Sequence, residues 1–369
     1  MKAFLLKHKK LHLWLLVDLV LLAAYFLCRP NRKWMNALAA GVTGPLRKAI
    51  GSLCYLTEIS IMEVLGVLLV VAGAAYLVWS VAAIVRAKGR RGHRTYSAVL
   101  GAICIGLSIY AGFCLLWGIH YWTDSFQEQS GIYAQPVEQD DLLAVTVYFA
   151  RQLVQTADDV VRDETGIFAE TRDSILKKAP EVYNTLEQEM PFLAFDDPGV
   201  KVMAFSRLMS QIDFTGFYCP YTGESNVNVD SPACLLPSTV AHELAHQRGI
   251  ASEQECNFLA VLASVTSGDP AYAYSGWLKG YIHLGNALYS VDPETYWVIR
   301  DQLPETVRAD LAYNNAYWDQ VDDTVVKEVS NKAYDGLLKA YGDERGIQSY
   351  GTVVDMLVAY YRERVYKDP

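Results

Sequence analysis

Three long apolar runs constrain the fold of this 369-residue chain more than any other feature. Residues 11–28, 61–85 and 96–117 each read as a membrane span, because about 20 helical residues cross a hydrocarbon core about 30 Å thick. Backbone polar groups in lipid must be satisfied within their own segment, so each run is expected to be a helix. The first run follows Lys2, Lys7, Lys9 and Lys10, as a secretory signal would. No small-x-small cleavage site precedes Arg29-Pro30, so an uncleaved span is expected instead. Gly66, Gly73, Gly101 and Gly106 allow close helix packing, while Trp117, Tyr121 and Trp122 form an interfacial aromatic belt. Asp18, a carboxylate inside the first span, is either a functional group or a residue turned into the bundle.

Charge sets the expected orientation. The N-terminus and the loop at residues 86–94 together carry nine Lys and Arg, against five in residues 29–60. The positive-inside bias therefore puts the N-terminus in the cytoplasm and everything after the third span outside it. Residues 1–122 hold fourteen basic and three acidic residues, a net of +11. With −9 for the whole chain, residues 123–369 carry −20. An acidic outer domain argues against a nucleic-acid partner, and a basic loop between two spans is a topology signal.

The second constraint is the stretch from Pro237 to Gly249. It contains His242-Glu243-Leu244-Ala245-His246, the H-E-x-x-H arrangement of zinc-dependent hydrolases. Ser238 reads as an N-cap and Gly249 as a C′ residue, which predicts a helix over 239–248. His242 and His246 then share one face, where both imidazoles can reach a tetrahedral Zn²⁺ at about 2.0–2.1 Å. Glu243 projects beside them, placed to take a proton from water on the metal. The uncharged neighbours Thr239, Val240, Ala241, Leu244 and Ala245 point to a buried helix rather than a surface one, and buried His and Glu need partners. Arg248 departs from the apolar residue usual there in zincin motifs.

Catalytic zinc takes three protein ligands and keeps one position open. Gly249 can turn the chain back past the metal towards Ser252-Glu253-Gln254-Glu255-Cys256-Asn257. Ser252 reads as the N-cap of the next helix, with Glu255 completing a capping box, which leaves Glu253 free to ligate. Glu255 is the alternative third ligand. The spacing from Glu253 to Asn257 is similar to the E-x-x-x-D pattern of gluzincin peptidases, in which the later residue orients a ligand histidine. The turn at Gly249 is closer to the metzincin arrangement, so the pattern matches neither clan cleanly. An oxyanion calls for a cation or hydroxyl, for which His283, Tyr281, Tyr218 and Tyr350 are candidates. Glu224 reads as a hydrogen-bonding residue at a turn.

Three pieces together carry a family resemblance: the run from Gly216 to Asn228, the segment from Leu236 to Ala251, and Glu253-x-Glu255-x-Asn257-Phe258. With three N-terminal spans and a late Ser349-Tyr350-Gly351, the chain resembles an uncharacterised bacterial membrane family, domain of unknown function 3810, over nearly its whole length. The resemblance implies a zincin-type metallopeptidase in the inner membrane of a bacterial cell and brings no established substrate. Cys219 and Cys256 stand where an aromatic residue and an alanine are expected in relatives.

Beyond the spans, helices are expected over 140–162, 171–188, 199–211, 253–265, around 277–288, and over 331–341 and 352–362. Residues 214–229 read as a hairpin, which either pairs with an extended peptide substrate or simply packs on the core. Cys219, Cys234 and Cys256 are odd in number and lack zinc-finger spacing, so buried free thiols are expected rather than a Cys219–Cys234 bridge. The expected fold class is an α-helical membrane segment of three spans (residues 1–122) plus a mainly helical α+β zincin-like extracytoplasmic domain (residues 123–369). The expected function is zinc-dependent peptide-bond hydrolysis, with the lipid bilayer and a peptide or protein as partners. The alternative is a catalytically silent zinc-binding receptor or assembly factor.

Overall fold

Ser60 begins the second apolar run as a helix, its hydroxyl accepting the Glu63 N–H at 3.2 Å. In the computed structural model the described residues are 6–196, 198–321, 332, 336 and 350–367. They fall into two units.

The first unit holds the described residues up to Leu56, Ser60–Thr123 and Pro220–Gly223. Its helices are α1 (Lys9–Cys28), α2 (Arg32–Leu38), α3 (Gly44–Cys54), α4 (Ile61–Arg86) and α5 (Arg91–Leu116). Three of them, α1, α4 and α5, are long and apolar enough to cross a membrane. This is a membrane protein. Asp18 turns towards α5 and accepts from Ser108 Oγ at 2.9 Å, while Trp14 Nε1 donates to the same hydroxyl at 2.8 Å. Tyr76 ties α4 to α5 by donating to Ala98 O at 2.7 Å. Gly223, at φ +65°, lies against the backbone of Gly51 and Arg47 with no room for a side chain.

The second unit contains α6 (Phe126–Ser130), α7 (Gln139–Thr156), α8 (Arg172–Lys178) and α9 (Asn184–Glu189). Next come β1 (Lys201–Val202), α10 (Ser206–Gln211), β2 (Gly216–Cys219) and β3 (Glu224–Val227). The helices α11 (Leu236–Gln247), α12 (Glu253–Thr266), α13 (Pro270–Val291), α14 (Pro293–Asp301), α15 (Glu305–Val321) and α16 (Tyr350–Lys367) follow. The unit is mostly helical. Its core gathers buried side chains of α7, α11, α12, α13 and α16. Phe149 closes onto the backbone of α13 because Gly280 leaves the space, and its ring meets Trp277 at 4.9 Å and Tyr361 at 5.0 Å.

The sheet is small, with strand order β1-β3-β2. β1 is parallel to β3 (Lys201 opposite Asn226) and β2 antiparallel to it (Gly216 opposite Val227). The hairpin falls where the sequence puts it, but 199–211 is not one helix. Its first part is β1, because Lys201 finds a buried partner in Glu224 at 2.5 Å and donates to Ile59 O at 2.7 Å. Glu224 is the hydrogen-bonding residue expected at the hairpin turn, here as half of a buried ion pair at the start of β3. The expected helix over 171–188 breaks around Pro180, whose ring cannot sit in a helix interior. The one expected over 140–162 ends at Thr156, and Arg162 pairs with Phe168 in an isolated bridge. The helices α14 and α15 have no counterpart in the sequence reading, and most of 331–341 lies outside the described residues.

A buried polar knot holds α13 and α15 to this bridge. Asp310 accepts from Arg162 Nη1 at 3.0 Å, from Tyr274 OH at 2.5 Å and from the Phe168 N–H at 2.8 Å. All seven cysteines are free thiols.

Candidate metal centre

Leu236 and Pro237 open α11 within its first turn, where a proline costs no helical hydrogen bond. Ser238 is therefore not the N-cap. Its N–H donates to Ser275 Oγ of α13 at 3.0 Å and its hydroxyl to Leu235 O at 3.0 Å. Every residue of α11 except His242 is buried. Two bonds to its backbone fix its rotation: Ser225 Oγ donates to Glu243 O at 2.9 Å, and Tyr183 OH to Ala241 O at 2.8 Å. Arg248 explains itself at the C-terminal end. Its guanidinium donates to Leu244 O at 3.1 Å and to Glu187 Oε1 at 2.7 Å, and stacks 3.8 Å over the Tyr183 ring.

Gly249, at φ +92°, turns the chain in left-handed geometry, and Glu253 becomes the first residue of α12. The turn brings three side chains together. Glu253 Oε2 lies 3.2 Å from His242 Nε2, and Oε1 lies 3.3 Å from His246 Nε2. The imidazole centroids are 4.9 Å apart with their planes at 80°. Among the described residues this is the one group of three His, Cys, Asp or Glu side chains able to hold a metal ion.

The outer nitrogens are committed elsewhere. His242 Nδ1 donates to Asn257 Oδ1 at 3.0 Å and His246 Nδ1 to Ile250 O at 2.8 Å. Both partners only accept, so each Nδ1 carries a proton and each Nε2 is the nitrogen turned towards the Glu253 carboxylate. Donors about 2.0–2.1 Å from a shared tetrahedral centre stand roughly 3.3 Å apart, and the two measured separations fit. The donor set fits Zn²⁺.

Burial and charge oppose one another across the cluster. Burial works against charge on Glu253, but His246 and His242 outweigh it and hold the carboxyl well below the usual carboxylate range. Burial likewise opposes a charge on His246, yet Cys256 and Glu253 hold it well above the usual imidazole range. His242 is pushed down by burial to about 4.

Around it, the sequence candidates separate. Glu255 turns away from the cluster and accepts from the Phe126 N–H at 3.0 Å, the Gln127 N–H at 3.2 Å and Gln127 Nε2 at 3.3 Å. The expected capping box is half formed, since Ser252 Oγ accepts the Glu255 N–H at 3.5 Å while the Glu255 carboxylate caps α6 instead. Glu243 is 3 % exposed and burial raises its carboxyl to about 8. Among the described residues its Oε2 has no hydrogen-bond partner. His283 interacts with His242, and burial pushes it down to about 3. Tyr281 is buried, and its hydroxyl has no hydrogen-bond partner among the described residues. Tyr218 lies two residues from Gly216 on β2, hence on the same face of the sheet. Tyr350 begins α16, and its side chain is outside the described residues.

Lys279 is the residue that sequence reading passed over. It stands one turn before His283 on α13 and interacts with Glu243 and Glu253, its ammonium lowered by burial to about 8. The Ser238–Ser275 contact explains the placement, because His242 and Lys279 each lie four residues further along the two joined helices. A lysine four residues before a histidine in an otherwise apolar helix is the signal that could have found it.

The fold and site define a membrane protein with a His-His-Glu cluster built on two successive buried helices. Residues 40–358 match the family described as a protein of unknown function (DUF3810), and the chain belongs to that family. The matched segment includes α4, α5 and the whole cluster. No curated protein and no solved structure matched the chain.

Proposed function

We propose that this protein is a membrane-anchored zinc metallopeptidase with a zincin-like second unit. The observation that carries the reading is the convergence of His242 Nε2, His246 Nε2 and the Glu253 carboxylate at 3.2 and 3.3 Å, with both Nδ1 atoms bonded to acceptors. When bound, the ion supplies Lewis acidity to a carbonyl and lowers the pKa of a water towards about 7. The chain's own residues do the rest. His242, His246 and Glu253 hold the ion, and Asn257 Oδ1 and Ile250 O orient the imidazoles. Glu243 takes a proton from water at Oε2 and passes it to the leaving amine nitrogen. Lys279 presents a cation to the oxygen that gains negative charge. β2, an edge strand among the described residues, borders Glu243 and suits an extended peptide.

Metal analysis tests the ligand set. Full-length protein in detergent should carry about one zinc per chain. His246→Ala and Glu253→Ala should abolish retention, whereas Glu255→Gln should keep it. Stoichiometric zinc in His246→Ala would sink the assignment.

In this reading the N-terminus lies in the cytoplasm and the cluster outside it, in a bacterial inner membrane. The basic residues of the 86–94 loop support this orientation. A reporter active only outside the cytoplasm should work when fused after Pro369 and stay silent within residues 86–94. The reverse pattern would put the cluster in the cytoplasm.

A further inference from the structure

Gly216 opens β2, pairing with Val227 of β3. Glycine weakens a strand, because it adds chain freedom and offers nothing to pack. The backbone does not require it here. The described glycines at positive φ are Gly89, Gly131, Gly166, Gly199, Gly223, Gly249 and Gly268, and Gly216 is not among them.

The reason lies in the space beside it. A Cβ on Gly216 would fall on the Glu243 side chain, 2.7 Å from both Cγ and Cδ and closer still to Oε1. Carbon atoms in contact ordinarily stand about 3.5–4.0 Å apart. Glu243 is almost fully enclosed, and among the described residues nothing hydrogen-bonds its Oε2. Its backbone cannot turn away, since Ser225 Oγ fastens Glu243 O at 2.9 Å from the neighbouring strand. Only the carboxylate end is free to give way.

We propose that Gly216 is a positioning residue: the missing side chain at the start of β2 is the space in which the Glu243 carboxylate is set, and any side chain there displaces it. The chemical consequence rests on the hydrolase reading, whereas the packing does not. The atoms a Cβ would meet are Cγ, Cδ and Oε1 of one side chain and no backbone atom, so β2 survives the substitution and the carboxylate moves.

Full-length Gly216→Ala, Glu243→Ala and the double variant, each loaded with Co²⁺, separate the two. Gly216→Ala should bind about one Co²⁺ per chain and unfold close to wild type, yet shift the visible absorption of the cobalt form. In the Glu243→Ala background the same substitution should leave the absorption where Glu243→Ala alone puts it. With fluorescein-labelled casein as probe, Gly216→Ala should lower kcat by on the order of 10²-fold with KM little changed. Glu243→Asp, one methylene shorter, should recover part of that loss in the Gly216→Ala chain. An unchanged cobalt spectrum, or an equal change in both backgrounds, overturns the proposal. Failure of the wild type to cleave casein counts against the hydrolase reading alone, and the cobalt comparison then decides on Gly216 by itself.

Discussion

Glu243→Gln should retain zinc and fold while losing hydrolysis by about 10²–10⁴-fold, the usual contribution of a general base. The substitution is chosen for shape. Glutamine fills the same space against Gly216 and keeps hydrogen-bonding capacity, so the enclosed pocket is not disturbed. What it cannot do is accept a proton from water. The metal should be indifferent, because His242, His246 and Glu253 are untouched and Glu243 is not one of the three converging groups. Zinc content, the unfolding midpoint and the ability to complement a deletion strain together decide the matter. Full complementation by Glu243→Gln would replace the hydrolase with a silent zinc-binding receptor.

The largest effect on stability is expected from Asp310→Ala. Asp310 is fully buried and accepts from a guanidinium, a phenol and a backbone N–H at once. Removing it leaves the Arg162 cation, whose side chain is 12 % exposed, without its carboxylate. Breaking a buried pair in this one-sided way costs about 3–5 kcal/mol, or roughly 6–20 °C in the midpoint for a unit of this size. Replacing both partners by apolar residues, as in Arg162→Met with Asp310→Leu, should cost far less, because no charge is stranded. Thermal unfolding of the three variants checks this. A midpoint for Asp310→Ala within a degree of wild type would mean that the knot contributes nothing.

How much could be read in advance depended on the range of the forces involved. The spans were legible because lipid imposes its demand residue by residue. The histidine pair was legible because one helical turn sets its geometry locally. Glu253 and Glu255 could not be separated, since what distinguishes them is a backbone amide at Phe126, 129 residues earlier in the chain. The strand at Lys201 is two residues long and owes its existence to Glu224, so nothing in its own sequence announces it. Arg248 looked out of place until its three contacts, to Leu244 O, Glu187 and the Tyr183 ring, were seen. Lys279 reads from sequence as an ordinary helix lysine, and only the packing of α13 on α11 turns it towards the cluster.

The anchoring of Lys201 and Glu255 bears on how the second unit could be excised. A fragment beginning after Ser130 would strand the Glu255 carboxylate in a buried place without the amides of Phe126 and Gln127. One beginning at Asp124 keeps those amides but forfeits Ile59, whose carbonyl shares Lys201 with Glu224. A soluble version would therefore need its boundary at Asp124 and a short graft or peptide standing in for Thr57–Ile59, delivered to the buried ammonium from outside the fragment's own sequence.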